Sequence, residues 1–304
     1  MKILLTGKNG QLGWELARAL APLGEVIAFD RSSLDLAVPD QIVSAVRSVR
    51  PDVLVNAAAY TAVDQAETER DAAQAINAVA VAVLAEEAKR ARALFVHYST
   101  DYVFDGTKDT AYLEEDLPNP LNAYGRSKLA GEQAIRSIDG HYLILRSSWV
   151  YAARGKNFLL TIRRLLRERQ ELRVVSDQIG APTSAEALAH ASAELLRRHT
   201  PAALGDARGV YHVTAGGSTS WHGFATEIAR LEKQSLARAA RILPIPSSEY
   251  PTAAHRPKNS RLSNEKFFRR FGIRLPSWEQ CLEACYAQLS ARQRQLKAGV
   301  WNNR

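Results

Sequence analysis

The sequence predicts an α/β protein on a doubly wound parallel sheet, with a smaller C-terminal lobe. Three observations predict it. Short apolar runs alternate with helix-spaced stretches through the first half, a glycine turn closes the first run, and the alternation loosens after about residue 150.

Taken in order, runs of strand length fall at 3–5, 25–29, 53–56, 94–99 and 142–146. Helical spacing fills 12–23, 39–49, 71–91 and 127–137 between them. Right-handed crossovers between such strands cover both faces of one sheet. Further on, the pattern predicts helices at 158–169, 185–198, 220–232 and 278–289, and strands at 172–175 and 209–213. Pro244, Pro246, Pro251 and Pro257 mark 243–261 as loop-rich. The expected division is a dinucleotide-binding domain over 1–150 and a substrate-binding lobe over 151–304. Some segments of the lobe are expected to return to the sheet, with no flexible linker between the two parts.

Composition narrows the class. The chain has 304 residues, 46% hydrophobic and 24% charged, which is ordinary for a soluble domain. No apolar run approaches the roughly 20 residues of a membrane span. The first residues lack the longer apolar stretch and small-residue cleavage site of a signal peptide. A cytoplasmic protein without membrane contact is expected. Cys281 and Cys285, four apart in a predicted helix, are expected to be reduced structural thiols. The net charge of +8 is scattered, with modest concentrations near 163–173 and after Arg292. No nucleic-acid module accompanies it, so no nucleic-acid partner is expected, and a positive field suits small anionic nucleotides as well.

The glycine turn carries the first chemistry. Gly7, Gly10 and Gly13 follow the first strand and open the first helix. Gly7 permits the tight turn, Gly10 lets backbone approach a pyrophosphate, and Gly13 allows close helix–strand packing. The helix N-terminus offers free N–H groups and a positive dipole end to phosphates. The spacing is GxxGxxG. Asp30 ends the second strand about 20 residues on, where a carboxylate can bind ribose hydroxyls. Arg31 could instead meet a 2′-phosphate, so NADH and NADPH both stay open. Read alone, Asp30 could also be a turn residue.

Tyr124 and Lys128 stand four apart, on one face of a helix. A phenol titrates near pH 10, and a neighbouring ammonium favours its ionised form. The pair follows the glycine turn. Ser99 and Thr100 end a strand about 24 residues earlier, at the sheet edge where ligands bind. One of these hydroxyls can hydrogen-bond the substrate oxygen that accepts a proton.

Across nearly the whole chain the sequence resembles the extended short-chain dehydrogenases/reductases, and within them the dTDP-4-dehydrorhamnose reductases. The segments that carry the likeness are GKNGQLGWEL, RPDVLVNAAAYTAVDQAE, HYSTDYVFDG, PLNAYGRSKLAGE, RSSWVYA, DQIGAPTSAE, AGGSTSWH and RPKNSRL. The resemblance implies a Rossmann-type fold and reduction of the C4 keto group of dTDP-4-dehydro-L-rhamnose by NADPH or NADH. Gly10, Gln11 and Leu12 would sit on the cofactor phosphates, and Asp30, Asp35 and Leu36 at the adenosine end. Ala59, Tyr60 and Thr61 would line the dinucleotide, with Tyr98 beside it. Thr100 and Asp101 would contact the sugar, Trp149 would wall its pocket, and Arg256 and Asn259 could reach the nucleotide's phosphates. Tyr124 and Lys128 would be the catalytic pair, with Thr100 placing the keto oxygen. Trp149 as plain core and Asp101 as a turn residue are the competing readings.

Two departures from the family pattern stand out. Tyr60 occupies a position of histidine in relatives. Some members also bind Mg²⁺ between subunits through three glutamates; here Glu15 and Glu186 match two, and Gln288 replaces the third. No metal is therefore assigned. The same resemblance leaves a homodimer open. A nucleotide-sugar 4-epimerase of the same fold, or a non-catalytic subunit like the methionine adenosyltransferase β subunit, are the alternative functions.

Overall fold

The computed structural model describes residues 1–232 and 240–297, with side chains to residue 291. The basic tail after Arg292 lies outside the described side chains. The first half reads β1 (Lys2–Thr6), α1 (Gln11–Leu20), β2 (Glu25–Phe29), α2 (Pro39–Val49), β3 (Val53–Asn56), α3 (Arg70–Gln74), α4 (Ala80–Ala91), β4 (Leu94–Thr100), α5 (Ala123–Ile138) and β5 (Tyr142–Ser147). The second half reads β6 (Val150–Tyr151), α6 (Phe158–Glu168), β7 (Glu171–Val175), β8 (Ile179–Gly180), β9 (Thr183–Ser184), α7 (Ala185–Arg198), α8 (Pro201–Asp206) and β10 (Gly209–His212). It closes with β11 (Thr219–Ser220), α9 (Trp221–Glu232), β12 (Arg241–Ile245), α10 (Glu265–Phe271) and α11 (Trp278–Lys297).

The main sheet has six parallel strands in the order β10-β5-β4-β3-β1-β2. The chain steps from β1 outward to β2, then crosses back over β1 to β3. The direction of winding therefore reverses between β1 and β3, and ligands bind outside the carboxyl ends at such a point. Alternation along β1 shows the double cover. Ile3 and Leu5 join the core that contains Leu16 of α1 and Leu188 of α7, while Leu4 joins the one with Ile42 of α2 and Leu84 of α4. Each such fully buried side chain contributes roughly 2 kcal/mol. A third core gathers Tyr151, Leu159, Phe224, Trp278, Cys281 and Leu282 from the later elements. Cys281 and Cys285 are free thiols buried in it.

Three expectations need correction. The stretch 71–91 is not one continuous helix: a π-turn over Ala75–Val79 separates α3 from α4. There the Asn77 carboxamide bonds the backbone of Tyr60 and the Ser127 hydroxyl, and such single-turn π-bulges often mark functional sites. The stretch from 243 is not wholly loop, since 241–245 forms β12 alongside β7. Pro244 fits because β12 is paired on one side only. Two short helices also escaped the pattern: α8, capped by Thr200 with Pro201 in its first turn, and α10, ended by Gly272 at φ 67°.

Candidate active site

A cleft of about 930 Å³ opens at the carboxyl ends of β1, β3 and β4. Its wall includes Gly7, Gly10, Gln11, Leu12, Asp30, Asp35, Leu36, Ala59, Tyr60 and Thr61. Tyr98, Thr100, Asp101, Tyr124, Lys128 and Trp149 line it too. Residues chosen from six separate stretches of sequence thus meet in one crevice.

The glycine turn is built for close approach. Gly7 has φ 78°, and a Cβ there would lie 2.8 Å from the Ala58 amide nitrogen. A Cβ on Gly13 would collide with the Gly7 carbonyl, so Gly13 lets α1 pack on the turn without facing the cleft. Gly10 caps α1 with no side-chain hydrogen bond and no acid in the first turn, which leaves the helix's first amides for an anion. Asp30 accepts hydrogen bonds from Ser32, Ser33 and Asn9 and pairs with Lys8 at 3.3 Å. These donors, Ser32 first, hold its carboxyl far below the usual range.

Asn122 caps α5 by accepting from the Gly125 amide at 2.8 Å, so the helix begins four residues earlier than its spacing predicts and carries Tyr124 in its first turn. Tyr124 and Thr100 line the same cleft. Burial pushes the Tyr124 phenol up to about 12, the Thr100 hydroxyl works against the rise, and the Asp101 carboxylate adds to it. The expected lowering by Lys128 is not what this site displays. The phenol is kept protonated, which is the form a proton donor needs. Lys128 is itself buried, and burial pulls its amine down to about 8 against the Glu132 carboxylate. Its Nζ donates to the Tyr98 carbonyl at 2.7 Å.

Several expected contacts take a different form. The Tyr98 phenol points away, donating to Ser192 of α7 at 2.7 Å, so its main chain serves the cleft. Tyr60 donates to Glu69 at 2.7 Å. Arg256 does not line the cleft: it pairs with Asp64 at 2.7 Å and hydrogen-bonds Tyr102, which does line it. Asn259 is a correction. It is buried, its amide donates to the carbonyls of Lys108 and Thr110, and its oxygen accepts from Arg261, so no donor remains for a phosphate.

Sequence reasoning missed Trp221, which stacks on Trp149 and lines the cleft. It stands inside the AGGSTSWH segment, and an aromatic at a helix start beside a predicted pocket was the available signal. Ser148 and Ser260 were missed as well; both hydrogen-bond Asp101. Glu15 lies near enough to Glu186 for the second carboxylate to reinforce the upward shift that burial gives the first. Among the described residues, however, no three His, Cys, Asp or Glu side chains gather to hold a metal, and none of the described helices is long and apolar enough to cross a membrane.

A winding reversal with a glycine cradle on one side and a Tyr–Lys–Thr set on the other defines a nicotinamide-dependent oxidoreductase of the extended short-chain class. The comparisons narrow this. The sequence model described as the RmlD substrate binding domain matches residues 1–291. The chain is 52% identical to the dTDP-4-dehydrorhamnose reductase of Burkholderia thailandensis over 297 residues, covering 95% of this chain and 99% of that one. It is 48% identical to the Escherichia coli K12 enzyme of the same name over 287 residues, covering 92% and 95%. The structure of the Bacillus anthracis dTDP-4-dehydrorhamnose reductase in complex with NADP superposes with a TM-score of 0.87 at 39% identity, covering 95% of this chain and all of that one. This chain belongs to the dTDP-4-dehydrorhamnose reductase family. A Thermus thermophilus UDP-glucose 4-epimerase in complex with NAD shares the fold alone, with a TM-score of 0.79 at 18% identity.

Proposed function

We propose that the protein reduces the C4 keto group of dTDP-4-dehydro-L-rhamnose to give dTDP-L-rhamnose, using NADPH or NADH, with Tyr124 as proton donor. The observation that carries this reading is the convergence of Tyr124, Lys128 and Thr100 in the same cleft as the uncapped start of α1. A bound nicotinamide supplies hydride to the carbonyl carbon.

The protein's own groups do the rest. Gly7 and Gly10 let the backbone approach the pyrophosphate and Gln11 and Leu12 hold it with the free N–H groups of the first helical turn, while Asp30, Asp35 and Leu36 take the adenosine end. Ala59, Tyr60 and Thr61 line the dinucleotide. Thr100 orients the keto oxygen toward the Tyr124 hydroxyl, which releases its proton to that oxygen. Lys128 holds the nicotinamide ribose. Asp101 and Trp149 bound the sugar. Arg256, braced by Asp64 behind Tyr102, reaches a diphosphate only by exchanging that partner. The sugar-nucleotide lobe comprises the later elements around the third core, with α7 and β10 returning to the sheet.

The test is oxidation of NADPH and NADH on addition of dTDP-4-dehydro-L-rhamnose, with dTDP-L-rhamnose identified as product and the UDP-linked analogue as comparison. Absence of turnover with both cofactors would overturn the reading.

A further inference from the structure

Four hydroxyl side chains stand at the carboxyl ends of β4 and β5: Ser99, Thr100, Ser147 and Ser148, all buried. Three of them are engaged. Ser99 donates to Glu132 at 2.5 Å, Thr100 donates to Asp101 at 3.0 Å and accepts from the Tyr102 amide, and Ser148 donates to Asp101 at 3.2 Å. The Ser147 hydroxyl has no hydrogen-bond partner among the described residues, although only 4% of the residue is exposed. An unpaired buried donor and acceptor is costly, so such a group in a native fold calls for a partner. Ser147 lines the cleft, and the partner can come from there.

Its position says which partner. Side chains alternate across a strand. Arg146 bonds Glu132 of α5, so Ser147 points to the opposite face of the sheet. Thr100 stands beside Ser147 in register and shares that face, as does Tyr98, whose phenol reaches Ser192 of α7. The core on this face also contains Leu16 of α1. From the start of α1 the cleft runs two ways: Asp30 and Asp35 follow β2 on one side, and Thr100 and Ser147 end β4 and β5 on the other. A dinucleotide with its pyrophosphate on α1 and its adenosine at Asp30 therefore sends its other half past Thr100 toward β5. The group at the far end of that half is the carboxamide of the nicotinamide ring.

We infer that the Ser147 hydroxyl binds this carboxamide and so fixes which face of the ring is turned toward Thr100 and Tyr124. A carboxamide carries an NH₂ donor and a carbonyl acceptor, and a serine hydroxyl can serve either. Without a hold at that end the ring is free to turn about its bond to the ribose and present either face. The backbone that presents the hydroxyl is itself fixed, because Ser148 is tied to Asp101 and Trp149 is stacked on Trp221. The inference deepens the reading of the cleft as a nicotinamide site and rests on it.

The test is calorimetric titration of the full chain with four ligands: NADP⁺, its pyridine analogue in which hydrogen replaces the carboxamide, 2′-phospho-ADP-ribose, which lacks the ring, and dTDP-L-rhamnose. The parent should bind NADP⁺ at least about 3-fold more tightly than the pyridine analogue, the worth of a hydrogen bond. In Ser147→Ala the dissociation constant for NADP⁺ should rise about 3- to 10-fold, while those of the other three ligands stay within about 2-fold. The hydroxyl gives up no bond within the protein, so the melting temperature of the free variant should match or exceed the parent's. Unchanged affinity for NADP⁺, an equal loss for the pyridine analogue or for 2′-phospho-ADP-ribose, a loss confined to dTDP-L-rhamnose, or a destabilised free variant would each overturn the inference. The comparison of NADP⁺ with its pyridine analogue is made on the parent alone and needs no variant. None of these readouts depends on turnover, so a failure of the proposed reaction is separately visible.

Discussion

The indole of Trp149 lies flat against that of Trp221, with 3.5 Å between ring centroids and 5° between planes. Trp149 sits in left-handed backbone at φ 47°, a conformation that costs a bulky residue on the order of 1–2 kcal/mol. Gly180 makes room for it: a Cβ there would come within 2.5 Å of the ring. One wall of the cleft is therefore clamped between β8 and the start of α9. Aromatic pairs contribute roughly 0.5–1.5 kcal/mol beyond burial. Trp221→Ala should raise KM for the nucleotide sugar about 2- to 10-fold while kcat changes less. Steady-state kinetics at saturating cofactor checks this, and an effect confined to kcat would contradict it.

Tyr124→Phe keeps the ring and removes the proton. General acid catalysis is worth roughly 10²–10⁴-fold. Keto-sugar-dependent oxidation of NADPH should fall by at least 10²-fold, while cofactor affinity measured by fluorescence stays near that of the parent. Near-normal turnover would exclude Tyr124 as donor.

Asp30 tests the adenosine end. Its carboxylate gathers Ser32, Ser33, Asn9 and Lys8 into one knot. Asp30→Ala removes an acceptor for ribose hydroxyls and frees a cation for a 2′-phosphate. Binding of NADH should weaken more than that of NADPH. Equal losses would show that Asp30 shapes the loop without reading the ribose.

Asp101 predicts a pH-dependent stability. Burial pushes its carboxyl up to about 6 from 3.8, against hydrogen bonds from Ser260, Thr100 and Ser148. Between those values the folded chain binds more protons than the unfolded one, so stability falls as pH rises through the window. Above it the buried carboxylate costs on the order of 3 kcal/mol. Asp101→Asn escapes this titration. Its urea midpoint should gain on the parent's between pH 4.5 and 7.5, and a constant difference would show that Asp101 does not titrate in that window.

The sheet, its winding and most helix limits were legible because apolar periodicity and glycine placement are local signals. Tyr124, Lys128 and Thr100 were legible as a set because a fixed spacing on one helix faces a strand end. Trp221, Ser148 and Ser260 were not, since they reach the cleft or Asp101 only through tertiary packing. Nor could spacing distinguish Asn259 from a ligand contact, because its hydrogen bonds run to Lys108 and Thr110, about 150 residues away in sequence. The direction of the Tyr124 shift was also hidden. The spacing of a tyrosine and a lysine gives the attraction, while the larger effect of burial depends on everything folded around them.

The strand that closes the far side of the sheet, β10, comes from the second half of the chain and pairs with β5. During synthesis the N-terminal half leaves the ribosome first, with the hydrogen-bonding groups of β5 bare until Gly209–His212 arrives. An uncovered strand of this kind is a template for pairing with another chain. The join between the two halves is thus also a quality-control point: truncation before β10 should yield an aggregating fragment and no stable nucleotide-binding half-protein.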